Sequence, residues 1–186
     1  MLADLTSGAV EDARAREVEL PFAELERRAL AVAPAIDALA ALAPTDTVRI
    51  IAEVKRASPS RGDLAEIPDP ALQARLYEQG GASAISVLTE GRRFKGSLAD
   101  LAAVRAAVSL PVLRKDFIAT AYQVFEARAA GADLVLLIAA ALDQPTLATL
   151  HELVLELGMT PLVETHNLAE VRRASAIGAR LVGVNA

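Results

Sequence analysis

One arrangement recurs along this chain and leaves few folds open to it: a helix-forming stretch, a glycine, then a short aliphatic strand. Helices are expected over 69–79, 120–130, 144–157 and 168–177, each followed by glycine: Gly80-Gly81, Gly131, Gly158 and Gly178. The strands that follow lie over 84–88, 134–138, 161–164 and 181–185. A fifth helix, over 97–108, leads to a strand at 111–115 without a glycine. A glycine just past a helix end is the usual left-handed cap. Together with a strand that begins at Val48, this makes six strands at a spacing of about 25 residues, the signature of successive βα units with parallel strands.

Two architectures share that pattern, the doubly wound sheet and the (β/α)8 barrel. No G-x-G-x-x-G follows the first strand, which weighs against a dinucleotide-binding sheet. Six strands are two fewer than a barrel needs, and a barrel usually takes about 250 residues, whereas this chain has 186. The expected fold is therefore an α/β TIM barrel, incomplete, in a single partial domain over 1–186. Residues 48–186 supply strands one to six. Residues 1–43 form a helical extension, which Pro21 and Pro34 divide into two or three helices, with Val10, Ala13, Val18, Leu25 and Leu30 among its apolar positions.

Composition narrows the function classes. Hydrophobic residues make up 53% of the chain and aromatics only 3%, which suits aliphatic strands covered on both faces by helices. A net charge of −5 gives no footprint for nucleic acid. There are no cysteines, hence no disulfides and no thiolate metal site, and two histidines, His151 and His166, are too few for a zinc site. No apolar run approaches a membrane span, and the N-terminus lacks the apolar segment of a secretory signal. A soluble, cytoplasmic protein without a thiolate or zinc site is expected.

The polar residues sit at particular places. The stretch VRIIAEVKRASPSRG, from Val48 to Gly62, starts as a β-branched strand and ends in a Ser/Pro/Gly loop. Glu53 and Lys55 lie two apart, so they share a face. Charges on a buried strand are costly unless paired or used. Lys115 ends the third strand, Glu164 the fifth and Asn185 the sixth. In a barrel the carboxyl ends of the strands form the active-site face. Two carboxylates, two ammoniums and an amide at corresponding heights point to acid–base work on an anionic substrate. A lysine near another lysine in a low-dielectric mouth is a usable acid, and Glu164 suits the complementary base role. The 58–62 loop suits a lid or a phosphate contact. Arg92, Arg93 and Lys95 form a basic cluster whose default is a solvated loop. His166, just after the fifth strand, is in a place to border the site, with a loop or capping role as the default. His151 is expected at the surface or in packing, and Asp116, opposite Lys115, in a pair with a neighbouring strand or helix.

The segments IAEVKRASPSRG, ISVLTEGRRFKGS, PVLRKDF, ADLVLLIAA, PLVETH and VGVN, in order along the whole chain, strongly resemble indole-3-glycerol phosphate synthase. The resemblance implies a (β/α)8 barrel with a helical extension over the active-site mouth. It implies conversion of 1-(2-carboxyphenylamino)-1-deoxyribulose 5-phosphate to indole-3-glycerol phosphate, with loss of carbon dioxide and water and no cofactor. Carried onto matching positions, Lys115 is the general acid at the substrate carbonyl. Lys55 meets the substrate carboxylate and is a candidate acid for dehydration, with Glu164 and Glu53 the candidate bases. Asn185 orients the substrate, Ser58 serves the polar end, and Pro59, Phe94, Phe117 and Leu136 wall the aromatic ring.

The family pattern continues past Asn185 with an arginine and two more βα units that carry the phosphate-binding loops. These 186 residues alone are therefore expected to be poorly active or inactive, and the open sheet edges are places where copies could associate. Two rivals stand beside this reading. One is a related phosphate-binding barrel, such as phosphoribosylanthranilate isomerase or the tryptophan synthase α subunit, which lack the E-x-K…R-K-D-F…V-E-T-H combination. The other is a non-catalytic, incomplete barrel fragment.

Overall fold

The computed structural model describes residues 1–64 and 66–185. Three helices come first, α1 (Leu2–Glu19), α2 (Phe22–Ala31) and α3 (Ala38–Ala41). Pro21 stands at the N-cap of α2, where a missing N–H is no loss. Pro34 lies in the non-helical link before α3. Asp37 starts α3 by accepting the Ala40 N–H.

Six strands then form one parallel sheet in chain order: β1 (Ile51–Val54), β2 (Ala84–Leu88), β3 (Val112–Lys115), β4 (Leu134–Ile138), β5 (Thr160–Thr165) and β6 (Leu181–Val184). The crossovers are α4 (Pro70–Gln79), α5 (Leu98–Ala107), α6 (Ala121–Ala129), α7 (Gln144–Glu156) and α8 (Leu168–Ala176). The sheet curls into a half-barrel, an incomplete TIM barrel. Each crossover helix starts on a side-chain cap, from Asp69, Ser97, Thr120, Asp143 and Asn167 in turn. Each cap satisfies an orphan N–H and is worth about 1 kcal/mol. Four helices end on glycines with positive φ, Gly81, Gly131, Gly158 and Gly178, a conformation that would strain any other residue. The exception is α5, which leaves through extended Val108.

Period-two alternation sorts the strand residues into two cores. Ile85, Val87, Val112, Val135, Leu137 and Val163 face the crossover helices and pack on Leu101, Val104, Val124, Leu147 and Leu150. Leu113, Leu134, Leu136 and Ile138 face inward and gather Leu162, Leu181, Phe117, Ala38, Leu42 and Leu2. A third cluster docks the extension onto α6: Ala13, Leu25 and Ala29 meet Tyr122 and Phe125, with Phe22 edge-on to Phe125 at 4.9 Å. Among the described residues no helix is long and apolar enough to cross a membrane.

Three expectations need correction. The first strand does not start at Val48: Val48 is 87% and Ile50 56% exposed. The reason is pairing, since β1 has β2 as its one neighbour and β2 begins opposite Ile51. The 58–62 stretch is no open loop but the turn of a small antiparallel ribbon, Ala57–Ser58 against Gly62–Asp63. In the extension Ala13 and Leu25 are buried, but Val18 and Leu30 are exposed because α6 covers one face of α1 and α2 only.

Candidate active site

The inward alternation of β1 places Glu53 and Lys55 on one face, and their side chains meet at 2.6 Å. From β3, two strands away, Lys115 Nζ reaches the other Glu53 oxygen, also at 2.6 Å. Burial pushes the Glu53 carboxyl up, but the hydrogen bonds of Lys115 and Lys55 outweigh it and hold the group below the usual carboxylate range. This changes the electrostatic argument made from sequence. The two ammoniums do not face each other bare, because a carboxylate stands between them. Nor do the polar residues share one height in the register: Glu53 lies opposite Ser86, Lys115 opposite Leu88, and Glu164 opposite Ile138 and Gly183. Strands of a barrel tilt, so the register steps as it passes round the sheet.

Lys115 is fixed from behind. Arg114, 1% exposed, points away from Lys115 into a buried network. It donates to Asp116 at 2.9 Å, Glu126 at 3.3 Å, the Gln123 carbonyl at 2.6 Å and Thr89 at 3.1 Å. Asp116 also accepts from the Thr89 hydroxyl at 2.7 Å. Glu126 is shared with Arg16 of α1, at 2.5 and 2.9 Å. Asp116 was expected to pair with a neighbouring element; its ion pair is instead with Arg114 of its own strand, and the neighbour supplies only the Thr89 hydroxyl, while the part played by α1 through Arg16 had no local signal.

Across the sheet, Glu164 ends β5 with its Oε1 accepting from Asn185 Nδ2 at 3.2 Å. Asn185 is itself pinned by its backbone N–H on the Thr165 carbonyl, 2.9 Å. His166 places Nε2 3.5 Å from the same Glu164 oxygen and Nδ1 3.2 Å from Glu170. It therefore has the loop position expected of it, between β5 and the cap of α8, and from there it also borders the site. His151 is buried in α7, where burial pushes its imidazole below the usual range.

Between these groups lies a cavity of about 380 Å³. Lys115, Glu164 and Asn185 line it, as do all five residues expected to hold substrate: Ser58, Pro59, Phe94, Phe117 and Leu136. Phe94 and Phe117 are tilted neighbours with ring centres 6.1 Å apart. Glu53 and Lys55 are outside the lining, and Glu53 touches it only through Lys115. The extension covers the mouth, as the resemblance implied, but the residues that do so were not singled out in the sequence: Met1 with Leu2 and Leu5 of α1 closes one side, and Leu88, Ile138 and His166 add to the wall. The one legible hint was an apolar residue at each of these N-terminal positions.

The basic cluster after β2 has a structural job. Buried Glu90 accepts the backbone N–H groups of Arg92, Arg93 and Phe94, which shapes the loop that presents Phe94. Arg92 then grips α1 through Asp12 at 2.6 Å and Glu11 at 3.1 Å. Lys95 pairs with Asp63 of the ribbon at 2.5 Å. Among the described residues no three His, Asp or Glu side chains cluster as metal ligands.

An ammonium and a carboxylate thus face one apolar, aromatic-walled space, an arrangement able to give a proton at one place and take one at another. Comparison with known proteins agrees. The family described as indole-3-glycerol phosphate synthase matches residues 2–186. A protein of that name from Leifsonia xyli subsp. xyli is 72% identical over all of this chain, which spans 72% of its length. Those from Beutenbergia cavernae and Micrococcus luteus are each 58% identical over the whole chain, which spans 69% and 70% of them. In structure, an N-acetylmannosamine-6-phosphate 2-epimerase from Clostridium perfringens superposes with a TM-score of 0.53 at 15% identity, over 72% of this chain and 58% of that one, a likeness of fold alone. The chain belongs to the indole-3-glycerol phosphate synthase family.

Proposed function

We propose that this cavity carries out the ring closure of 1-(2-carboxyphenylamino)-1-deoxyribulose 5-phosphate to indole-3-glycerol phosphate, a carboxy-lyase step of tryptophan biosynthesis, in the cytoplasm. The observation that carries the reading is the pairing of Lys115, held on Glu53, with Glu164, held on Asn185, across a space walled by Phe94 and Phe117. The aromatic ring lies against Phe117, Leu136, Phe94 and Pro59. As the ring carbon attacks the substrate carbonyl, Lys115 gives its proton to the oxygen and stabilises the developing alkoxide. Decarboxylation follows once the ring nitrogen can take up the electrons. Loss of the hydroxyl as water then restores the aromatic indole, and it needs an acid at the oxygen and a base at the ring.

Glu164 is the better base of the two candidates. Glu53 is engaged by two ammoniums and kept ionised, so its work is to aim and charge the lysines. Glu164 has one oxygen on Asn185, which leaves the other for substrate. Lys55, outside the lining, meets the substrate carboxylate at the rim and supplies the dehydration acid. Ser58 and Asn185 hold the polar end. The free edges of β1 and β6, with Val182 and Val184 exposed, are the places for self-association. The test is indole-3-glycerol phosphate formation followed by fluorescence, with Lys115→Ala and Glu164→Gln as controls. Product formed equally by parent and Lys115→Ala protein would overturn the assignment.

A further inference from the structure

His166 has a more organised setting than its place in a loop requires. It joins the end of β5 to the N-cap of α8. Glu170, in the first turn of α8, takes the His166 backbone N–H at 2.8 Å and stands 3.2 Å from Nδ1 with the same oxygen. Its other oxygen accepts from Asn167 at 2.6 Å, while Asn167 caps the Glu170 N–H at 3.0 Å. Burial pushes the Glu170 carboxyl up, but the hydrogen bonds from His166 and Asn167 outweigh it, and the group lies below the usual range. An ionised carboxylate can only accept a hydrogen bond. It therefore fixes the neutral imidazole with its proton on Nδ1 and turns the Nε2 lone pair toward the cavity. There Nε2 meets the Asn185 amide at 3.3 Å and Glu164 Oε1 at 3.5 Å.

We propose that His166, oriented by Glu170, is a positioning residue for Glu164 whose Nε2 takes over the proton that Glu164 collects from substrate. The proposal rests on the base role given to Glu164 above. A carboxylate that has accepted a proton must lose it before it can serve again. A turn of the protonated carboxyl about its terminal bond brings the O–H toward Nε2. The O–H bond breaks, the Nε2–H bond forms, and Glu164 is a carboxylate again. The imidazolium is balanced by Glu170, and Nε2–H then passes its proton to water, for which the 39% exposure of the side chain is sufficient. No other reactant is required. The charged groups around the ring are Glu164 on its own strand and Glu170 on α8. Lys115, Asp116 and the Met1 α-ammonium lie around the shared cavity, the last paired to Asp4 at 3.0 Å.

The test needs no turnover. The chain has two histidines, so ¹⁵N labelling of histidine in the full chain gives two imidazoles, and His166→Asn identifies which is which. The neutral His166 ring is expected as the Nδ1–H tautomer, and Glu170→Gln converts it to a mixture. The δ-carbon of Glu164, whose Oε1 lies 3.5 Å from Nε2, is expected to change its chemical shift in His166→Asn. An Nε2–H tautomer in the parent protein, or a Glu164 carbon blind to His166, overturns the proposal. The base role beneath it is decided separately: Glu164→Gln with parental kcat removes that role whatever the spectra show.

Discussion

Replacing Arg114 by methionine tests whether the network behind Lys115 carries as much stability as its burial implies. Arg114 is 1% exposed and makes four hydrogen bonds, two of them to carboxylates that are themselves nearly buried. Removing one partner of a buried ion pair costs about 3–5 kcal/mol, because the other charge is left without compensation. The two carboxylates do not suffer equally. Glu126 keeps Arg16 at 2.5 and 2.9 Å, whereas Asp116 keeps only the Thr89 hydroxyl and its neighbour's backbone N–H. The loss therefore belongs near the lower end, about 3 kcal/mol. For a chain of this size that lowers Tm by about 6–12 °C. Urea unfolding at pH 7 measures it directly. If the cost comes from the stranded Asp116 charge, Asp116→Asn added to Arg114→Met recovers about 1 kcal/mol or more, although it is harmful alone. A loss under about 1 kcal/mol, the scale of an exposed pair, would refute the reasoning, and so would simple additivity of the two substitutions.

In protein that also carries the two further βα units of the family pattern, Lys115→Ala is expected to lower kcat by about 10²–10⁴, the range for a lost general acid, while circular dichroism shows the helices unchanged. Glu53 sets an acid limit on stability. Its folded-state carboxyl lies below the ordinary 4.5, so its ion pairs contribute fully above that value and are lost as the pH falls through the folded one. Urea titrations from pH 7 to pH 3 should therefore fall more steeply for the parent than for Glu53→Gln. Gly96→Ala is expected to destabilise by more than about 3 kcal/mol, since a Cβ there would lie 2.0 Å from the Leu88 carbonyl oxygen; parental urea stability would show that the loop can move aside.

The architecture was legible because its signals are local. Five crossover helices, four glycine exits and the uninterrupted run Leu134–Ile138 each declare themselves within a dozen residues, and all take the expected form. The shared face of Glu53 and Lys55 followed from strand geometry alone, and it brings them to 2.6 Å. What escaped reading depends on pairs far apart in the chain. Arg16 and Glu126 are 110 residues apart, and no periodicity links them. Arg92 read by default as part of a solvated loop because the acids that engage it, Glu11 and Asp12, lie 80 or so positions earlier. Val48 failed as a strand residue for a similar reason, since β-propensity cannot supply the neighbour that a strand needs.

The first helix ends the account with a mechanical consequence. It is held by Arg16 near its C-terminal end and by Arg92 at its middle, with the Arg92 side chain lying across Gly8. Residues 1–7 extend beyond both supports, over the cavity. The helix is a cantilever, fixed by ion pairs along most of its length and held at the tip only by the apolar packing of Leu2. Admitting substrate asks only that the tip bend or fray, and helix ends open within about a microsecond. Turnover in enzymes typically proceeds at about 10 per second. On those general figures, a cover that opens by fraying at its tip moves far faster than a typical turnover.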